Sequence, residues 1–399
     1  MRTYDTGTVP QREPEPDGVA REHAMRVHAH IAAKIHAAGG WIGFEQYMEL
    51  ALYAPGLGYY SAGAQKFGDG GDFTTAPEIS RLFGACLASQ CAAVLAESNG
   101  GSILEIGAGS GRLAGDLLTS LEAAAALPRR YRILEVSADL RARQRAYLHG
   151  RLPHLAGILE WLDAPPEERF DGLIVANEVL DAIPVSRFRW QGGRIEELGV
   201  SLHGGRFGWS ARPAGAVMSA HCEALRAAGD EAWPVGYESE YCPRLAPWSE
   251  SVTRALRSGA VLWFDYGLPR AHYYIPERAA GTLLCHHRHR VIDDPFAHPG
   301  LQDITAWVDF TALAEAGAAA GFEVAGYTNQ AYFLAGTGID LHMRALAGAD
   351  ERAAARLANE ARRLMMPGEM GERFKVMAWT RGLERPLSGF VLHDLRHTL

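Results

Sequence analysis

The stretch ILEIGAGSGRLAGDLL (residues 103–118) decides the fold. A short apolar run passes into Gly107, Gly109 and Gly111, and then into apolar positions at helical spacing. That order reads as a buried strand, a tight loop and a helix. Glycines there let a nucleotide-like ligand approach the main chain. Two ligands fit the spacing. Read from Gly109, the letters GSGRLA satisfy the looser dinucleotide fingerprint with Ala114 last. Glu105 points the other way, to S-adenosylmethionine (SAM). A pyrophosphate would bring negative charge to this loop, and a carboxylate two residues before Gly107 would oppose it. The sulfonium and amino group of SAM are positive and would be favoured. The alternative for Glu105 is a helix cap or a solvated acid.

Outward from this loop the chain alternates. YRILEVS, GILEWLD, FDGLIVANE and GAVLWFDYG read as further strands, with ADLRARQRAYLHGRL as a helix between the first two. Strands alternating with helices predict a parallel sheet covered on both faces, which is why GLIVA and AVLWF are apolar without interruption. The fourth and fifth strands are separated by residues 186–258, read as an inserted subdomain of strands and helices. Near the C-terminus, ITAWVDFTALAEAGAAAG is expected to be one helix, with Trp307 and Phe310 on its core face. RFKVMAWTRG is expected to be a last strand.

In an open α/β sheet, ligands bind at the carboxyl ends of the strands. Glu135 ends the second strand and suits ribose hydroxyls in either cofactor. Asp163 follows the third strand, as an acceptor for an adenine amino group or as an ordinary loop acid. Asn177, Glu178 and Asp181 follow the fourth, where the transferable methyl would point; the other reading is a helix cap by Asn177 with solvated acids. Asp265 and Tyr266 end the fifth strand, either touching substrate or shaping a turn at Gly267. In APEIS, Thr75 is expected to cap a helix begun by Pro77 and Glu78 and continued through Glu97.

Hydrophobic residues make up 48% of the 399 and charged residues 22%, ordinary for a globular protein, and the formal charge is −8. No basic block favours nucleic acid, and no apolar stretch is long enough to cross a bilayer. The five cysteines are widely spaced without a C-x-x-C, which argues against a disulfide framework and predicts a cytoplasmic location. CHHRHR (285–290) would place Cys285, His287 and His289 on one strand face. No second pair at ligand spacing accompanies them, so a basic strand is preferred to a metal site, with His289 held open as a site residue.

The motifs GDFTTAPEIS, LEIGAGSGRLAGDLL, ILEVSADLRARQ, ANEVLDAIPV, FDYG and DPFAHPGLQDITAWVDF occur in the order seen in MidA-like SAM-dependent methyltransferases, which the chain resembles from about residue 25 to 382. That family includes bacterial members and a mitochondrial arginine methyltransferase that assists respiratory complex I assembly. The resemblance implies an α/β fold: a seven-stranded, Rossmann-like methyltransferase sheet with an N-terminal helical extension and an inserted subdomain. It implies SAM as cofactor, with Gly107, Ala108, Gly109 and Gly111 in the cofactor loop and Glu135 and Val136 at the second strand. Val136-Ser137 departs mildly from the family's usual Thr-Ser or Pro-Ser. Phe73, Thr74, Thr75 and Pro77 match a segment expected to close over the site.

The division expected is a disordered tail over 1–20, the helical extension and covering loop over 21–100, the two halves of the methyltransferase domain over 101–185 and 259–399, and the substrate-facing insertion over 186–258. The expected activity is methylation of a protein arginine, with Glu178 and Asp181 gripping the guanidinium and Asp265 in reserve. A subunit of complex I is one candidate substrate, and a homodimer is admitted. Neither metal, nucleic acid nor membrane is called for. A SAM-binding assembly factor without turnover and an NAD-dependent oxidoreductase are the competing readings.

Overall fold

The structure, a computed structural model, describes residues 18–62, 75–98, 100–229, 231–288 and 290–399. Phe73, Thr74, His289 and residues 1–17 of the expected tail lie outside them. Residues 18–20 already belong to the first helix, Gly18–Ala37.

The central sheet is built from β1 (Ser102–Ile106), β2 (Tyr131–Leu134), β3 (Leu159–Leu162), β4 (Phe170–Asn177), β5 (Leu256–Leu268), β6 (Glu323–Asn329) and β7 (Phe374–Arg381). Their spatial order is β6-β7-β5-β4-β1-β2-β3. The strands from β5 to β3 are parallel neighbours, and β7 runs antiparallel between β5 and β6. An eighth, two-residue strand, Val308–Asp309, pairs with the end of β5. Strand order reverses between β1 and β4, which opens a crevice at their carboxyl ends.

Period-two alternation explains the apolar runs. Ile103, Leu173, Val175, Leu262, Phe264 and Val376 face one core, under the helices Arg81–Glu97 and Arg112–Ala123. Leu104, Ile174, Ala176, Val261, Trp263 and Met377 face the other, under Leu245–Thr253 and Phe310–Ala319. Both faces are dry, so neither can be polar.

Two helical expectations change. The helix after Thr75 breaks at Ser80 into Ala76–Ile79 and Arg81–Glu97. Thr75 makes no side-chain cap, whereas the Ser80 hydroxyl accepts from the Leu82 amide. The expected helix over 304–321 begins only at Phe310, capped by Asp309; before it, Asp303–Thr305 and Val308–Asp309 are strands.

The inserted segment forms an antiparallel sheet, Ser186–Trp190, Ile195–His203, Arg206–Pro213 and Tyr237–Tyr241, completed by Ile42–Gly43 from the N-terminal region. Gly199 makes this pairing possible: a Cβ there would lie 2.3 Å from the Ile42 carbonyl oxygen and from the Trp41 ring. The helices Gly18–Ala37 and Phe44–Tyr53 pack on this sheet through Ile31, Ile35, Tyr47, Met48 and Val200. The extension and insertion therefore share one core instead of acting as separate additions.

Candidate active site

At the crevice between β1 and β4 lies a cavity of about 790 Å³, within the size range of small-molecule sites. Its floor is the loop after β1. Gly107 and Gly109 have φ of +66° and +53°, conformations that turn the main chain toward the cavity and strain any residue with a Cβ. Glu105, Gly107, Ala108, Gly109, Glu135, Val136, Asp163, Asn177, Glu178, Thr75 and Pro77 all line it. The ends of β1, β2, β3 and β4 thus converge on one space, although these residues lie up to a hundred positions apart.

Three predicted residues do not reach it. Gly111 starts the helix Arg112–Ala123 at φ +84°, and a Cβ there would meet Gln144 and Tyr147 at 3.5 Å; it serves the turn and the helix packing. Asp181 is buried beside the fifth-strand end, where the Tyr266 hydroxyl donates to it. Asp265 is fully buried: its Oδ2 accepts from the amides of Val179 (3.2 Å), Leu180 (2.8 Å) and Asp181 (3.3 Å), and its Oδ1 from that of Tyr266 (3.0 Å). Asp265 holds the turn after β4, and only Glu178 of the three expected catalytic acids faces the cavity. Asp265→Ala should strand those four amides and cost on the order of 3 kcal/mol, read as a lower urea midpoint, with cofactor affinity per folded molecule unchanged.

Glu105 lies within β1 and is 2% exposed. Burial pushes its carboxyl up to about 7, while the hydroxyl of Tyr131, donating at 2.7 Å, holds it down. A cation in the cavity would favour its ionised form. Glu135 is pinned at both oxygens, by the Ser137 amide (2.9 Å) and Gln144 Nε2 (3.1 Å).

Gln144 was not anticipated. Its Nε2 also donates to the Gly109 carbonyl at 2.9 Å, and its Oε1 accepts from Trp161 Nε1 at 3.1 Å. One side chain therefore ties the glycine loop, the β2 acid and β3 together. The signal was present: Gln144 sits between Leu140 and Leu148 on the buried face of its helix, where an amide must be satisfied. A second link joins the helix Ala76–Ile79 to the loop, with Glu78 accepting from the Ser110 hydroxyl and from Arg112 Nη1 (2.9 Å).

Glu178 follows β4 at φ +54°, a left-handed conformation that a residue with a side chain adopts only under constraint. Its amide donates to the Phe264 carbonyl at 2.8 Å, and Asn177 Nδ2 donates to its Oε1 at 3.1 Å. Burial, and secondarily Asp181, push its carboxyl up to about 8. Asn177 Oδ1 is buried without a protein partner, an acceptor left for a ligand donor.

This donor set fits SAM. Left-handed glycines give close approach, the pinned Glu135 suits a ribose diol, and buried acids with Asn177 Oδ1 suit the charged methionine end. Elsewhere, His287 Nδ1 is hydrogen-bonded with the Leu301 carbonyl at 2.8 Å, and among the described residues no group of three His, Cys, Asp or Glu is arranged to hold a metal ion. No helix among them is long and apolar enough to cross a membrane.

Comparison with known proteins agrees with this geometry. The family model described as "Putative S-adenosyl-L-methionine-dependent methyltransferase" matches residues 86–328. A crystal structure from Burkholderia thailandensis, of a superfamily member bound to S-adenosylhomocysteine, superposes with a TM-score of 0.91 at 44% identity, covering 97% of this chain and 100% of that one. The mitochondrial protein arginine methyltransferase NDUFAF7 of Danio rerio is 28% identical over 381 residues, 87% of this chain and 85% of its own. Its Homo sapiens counterpart is 28% identical over 388 residues, 88% and 82%. These relatives are named mitochondrial, which overturns the cytoplasmic location expected from the cysteines. The dinucleotide reading of the glycine loop falls with the same matches, and the chain belongs to this SAM-dependent methyltransferase family and is an enzyme of that class.

Proposed function

We propose that the methyl acceptor is an arginine side chain of a protein, and that Glu178 receives its guanidinium. The observation that carries this reading is Glu178 itself: an acid at the carboxyl end of β4, held in a strained backbone and facing the cavity. The relatives named as protein arginine methyltransferases support it. The bound cofactor supplies a methyl group on a positively charged sulfur. Gly107 and Gly109 with Glu135 would hold it at the ends of β1 and β2, and Glu105 and Asn177 would favour its positive charge.

Glu178 would accept two N–H groups of the guanidinium and so fix the plane of the third nitrogen; in an in-line transfer that nitrogen would take the methyl, S-adenosylhomocysteine would leave as the neutral thioether, and one N–H proton would be released to solvent. The earlier expectation of two gripping acids reduces to one, with Asp181 lending negative potential from behind. A protein substrate follows from this reading. A subunit of respiratory complex I is the first to try, by the family resemblance, and a homodimer would place two such cavities in one particle, which light scattering would register.

The raised carboxyl of Glu178 makes the reading testable by pH. Below about pH 8 this group is largely protonated and neutral in the free enzyme. Above it the carboxylate is present to hold a cation. kcat/KM for an arginine-bearing protein should therefore rise with pH, reach half its maximum near 8 and level off about one unit above. The limb should vanish in Glu178→Gln, and a flat wild-type profile between pH 6 and 9 would remove Glu178 from acceptor binding.

A further inference from the structure

Beyond the strand ends, the cavity wall is completed by the turn after β4, by the helix Leu245–Thr253 and by the N-terminal extension. Tyr53, at the end of the helix Phe44–Tyr53, and Tyr60 both line it. Their rings stack on each other, with centroids 5.4 Å apart and planes 20° apart. Tyr59 meets Tyr60 edge-on at 5.0 Å and is itself buried, so the pair is braced from behind.

Both hydroxyls are already spent on the protein. That of Tyr53 donates to the Ala182 carbonyl at 2.9 Å, just past Asp181. That of Tyr60 donates to Oδ1 of Asp303 at 3.0 Å, and Asp303 is 3% exposed. With both O–H donors used, what these residues offer a ligand is the aromatic face, with the phenolic oxygens left only as acceptors. The same two bonds anchor the pair to the turn that carries Glu178 and to the buried acid opposite. Asp181 and Asp303 act electrostatically on Tyr53, on Tyr60 and on Glu178 alike, which places all five in one neighbourhood.

We propose that Tyr53 and Tyr60 form the selectivity wall of the acceptor arm, a π surface that takes a planar, delocalised cation in preference to a compact ammonium. The proposal rests on the arginine reading above and deepens it. An aromatic face attracts a cation through its quadrupole, and a guanidinium adds stacking that a tetrahedral ammonium cannot make. The acids alone would hold either cation; the rings supply the difference.

The test uses the full chain saturated with S-adenosylhomocysteine, titrated with arginine amide and with lysine amide and read by saturation-transfer NMR. Wild type should bind arginine amide several-fold more tightly than lysine amide, because only the planar guanidinium adds stacking to the cation–π attraction that both share. Tyr53→Leu and Tyr60→Leu should each lose that preference while retaining S-adenosylhomocysteine affinity within twofold, which also certifies their fold. Tyr53→Phe should keep the preference, because it keeps the ring. Unchanged discrimination in both leucine variants overturns the proposal, as does a loss of S-adenosylhomocysteine affinity in parallel with it. If arginine amide fails to bind wild type that does bind S-adenosylhomocysteine, the arginine reading itself fails, and the proposal goes with it.

Discussion

Glu178→Gln is expected to lower methyl transfer to a protein arginine by more than a hundredfold while leaving SAM affinity within about twofold. The substitution keeps size and removes charge. A guanidinium drawn into the cavity would then lack the carboxylate proposed to receive it, and leaving such a cation unpaired in a partly buried site costs about 3–5 kcal/mol. The cofactor's proposed holding groups lie on the β1 loop and at Glu135, so its binding should not follow. Isothermal titration with SAM and single-turnover transfer, measured on the same preparation, separate the cases. A parallel fall in both would place Glu178 in cofactor binding. A wild-type rate would end its role in the chemistry.

Gly109→Val is the second large effect. At φ +53° a β-branched residue is strained by roughly 1–2 kcal/mol, and its side chain would stand at the cavity floor, where the main chain must be approached. SAM affinity should fall at least a hundredfold by calorimetry, with the melting midpoint lowered only modestly. Gln144 limits the damage to the fold, because it binds the Gly109 carbonyl, which the substitution retains. Gly111→Ala offers the contrast: its left-handed turn faces Gln144 and Tyr147, not the cavity. It should cost stability more than affinity. Retained SAM binding in Gly109→Val would move the cofactor off this loop.

Much of the strand-end wall of the cavity was legible without coordinates, for a local reason. Strand, glycine turn and helix follow one another within sixteen residues at 103–118, and the alternation that buries both faces of a parallel sheet is written in consecutive letters. Once the strands are placed, the carboxyl-end rule carries Glu105, Glu135, Asp163, Asn177 and Glu178 to one edge, and the cavity joins them. What the letters could not carry was direction at a turn. Glu178, Asp181 and Asp265 look equivalent as acids past strand ends. Yet Asp265 turns inward because three amides of the β4 turn, with that of Tyr266 beside it, need an acceptor, and Asp181 turns to Tyr266.

Contacts between distant segments were equally invisible. The pairing of Ile42–Gly43 with the insertion spans more than 150 positions and depends on the missing Cβ of Gly199. Tyr53 and Tyr60 carry no motif, and their place on the cavity wall follows from hydrogen bonds to Ala182 and Asp303. Local periodicity set the sheet and the edge that the cavity opens on. Only long-range packing, which decides what each polar atom finds as a partner, sorted the acids that face the cavity from those that hold its wall.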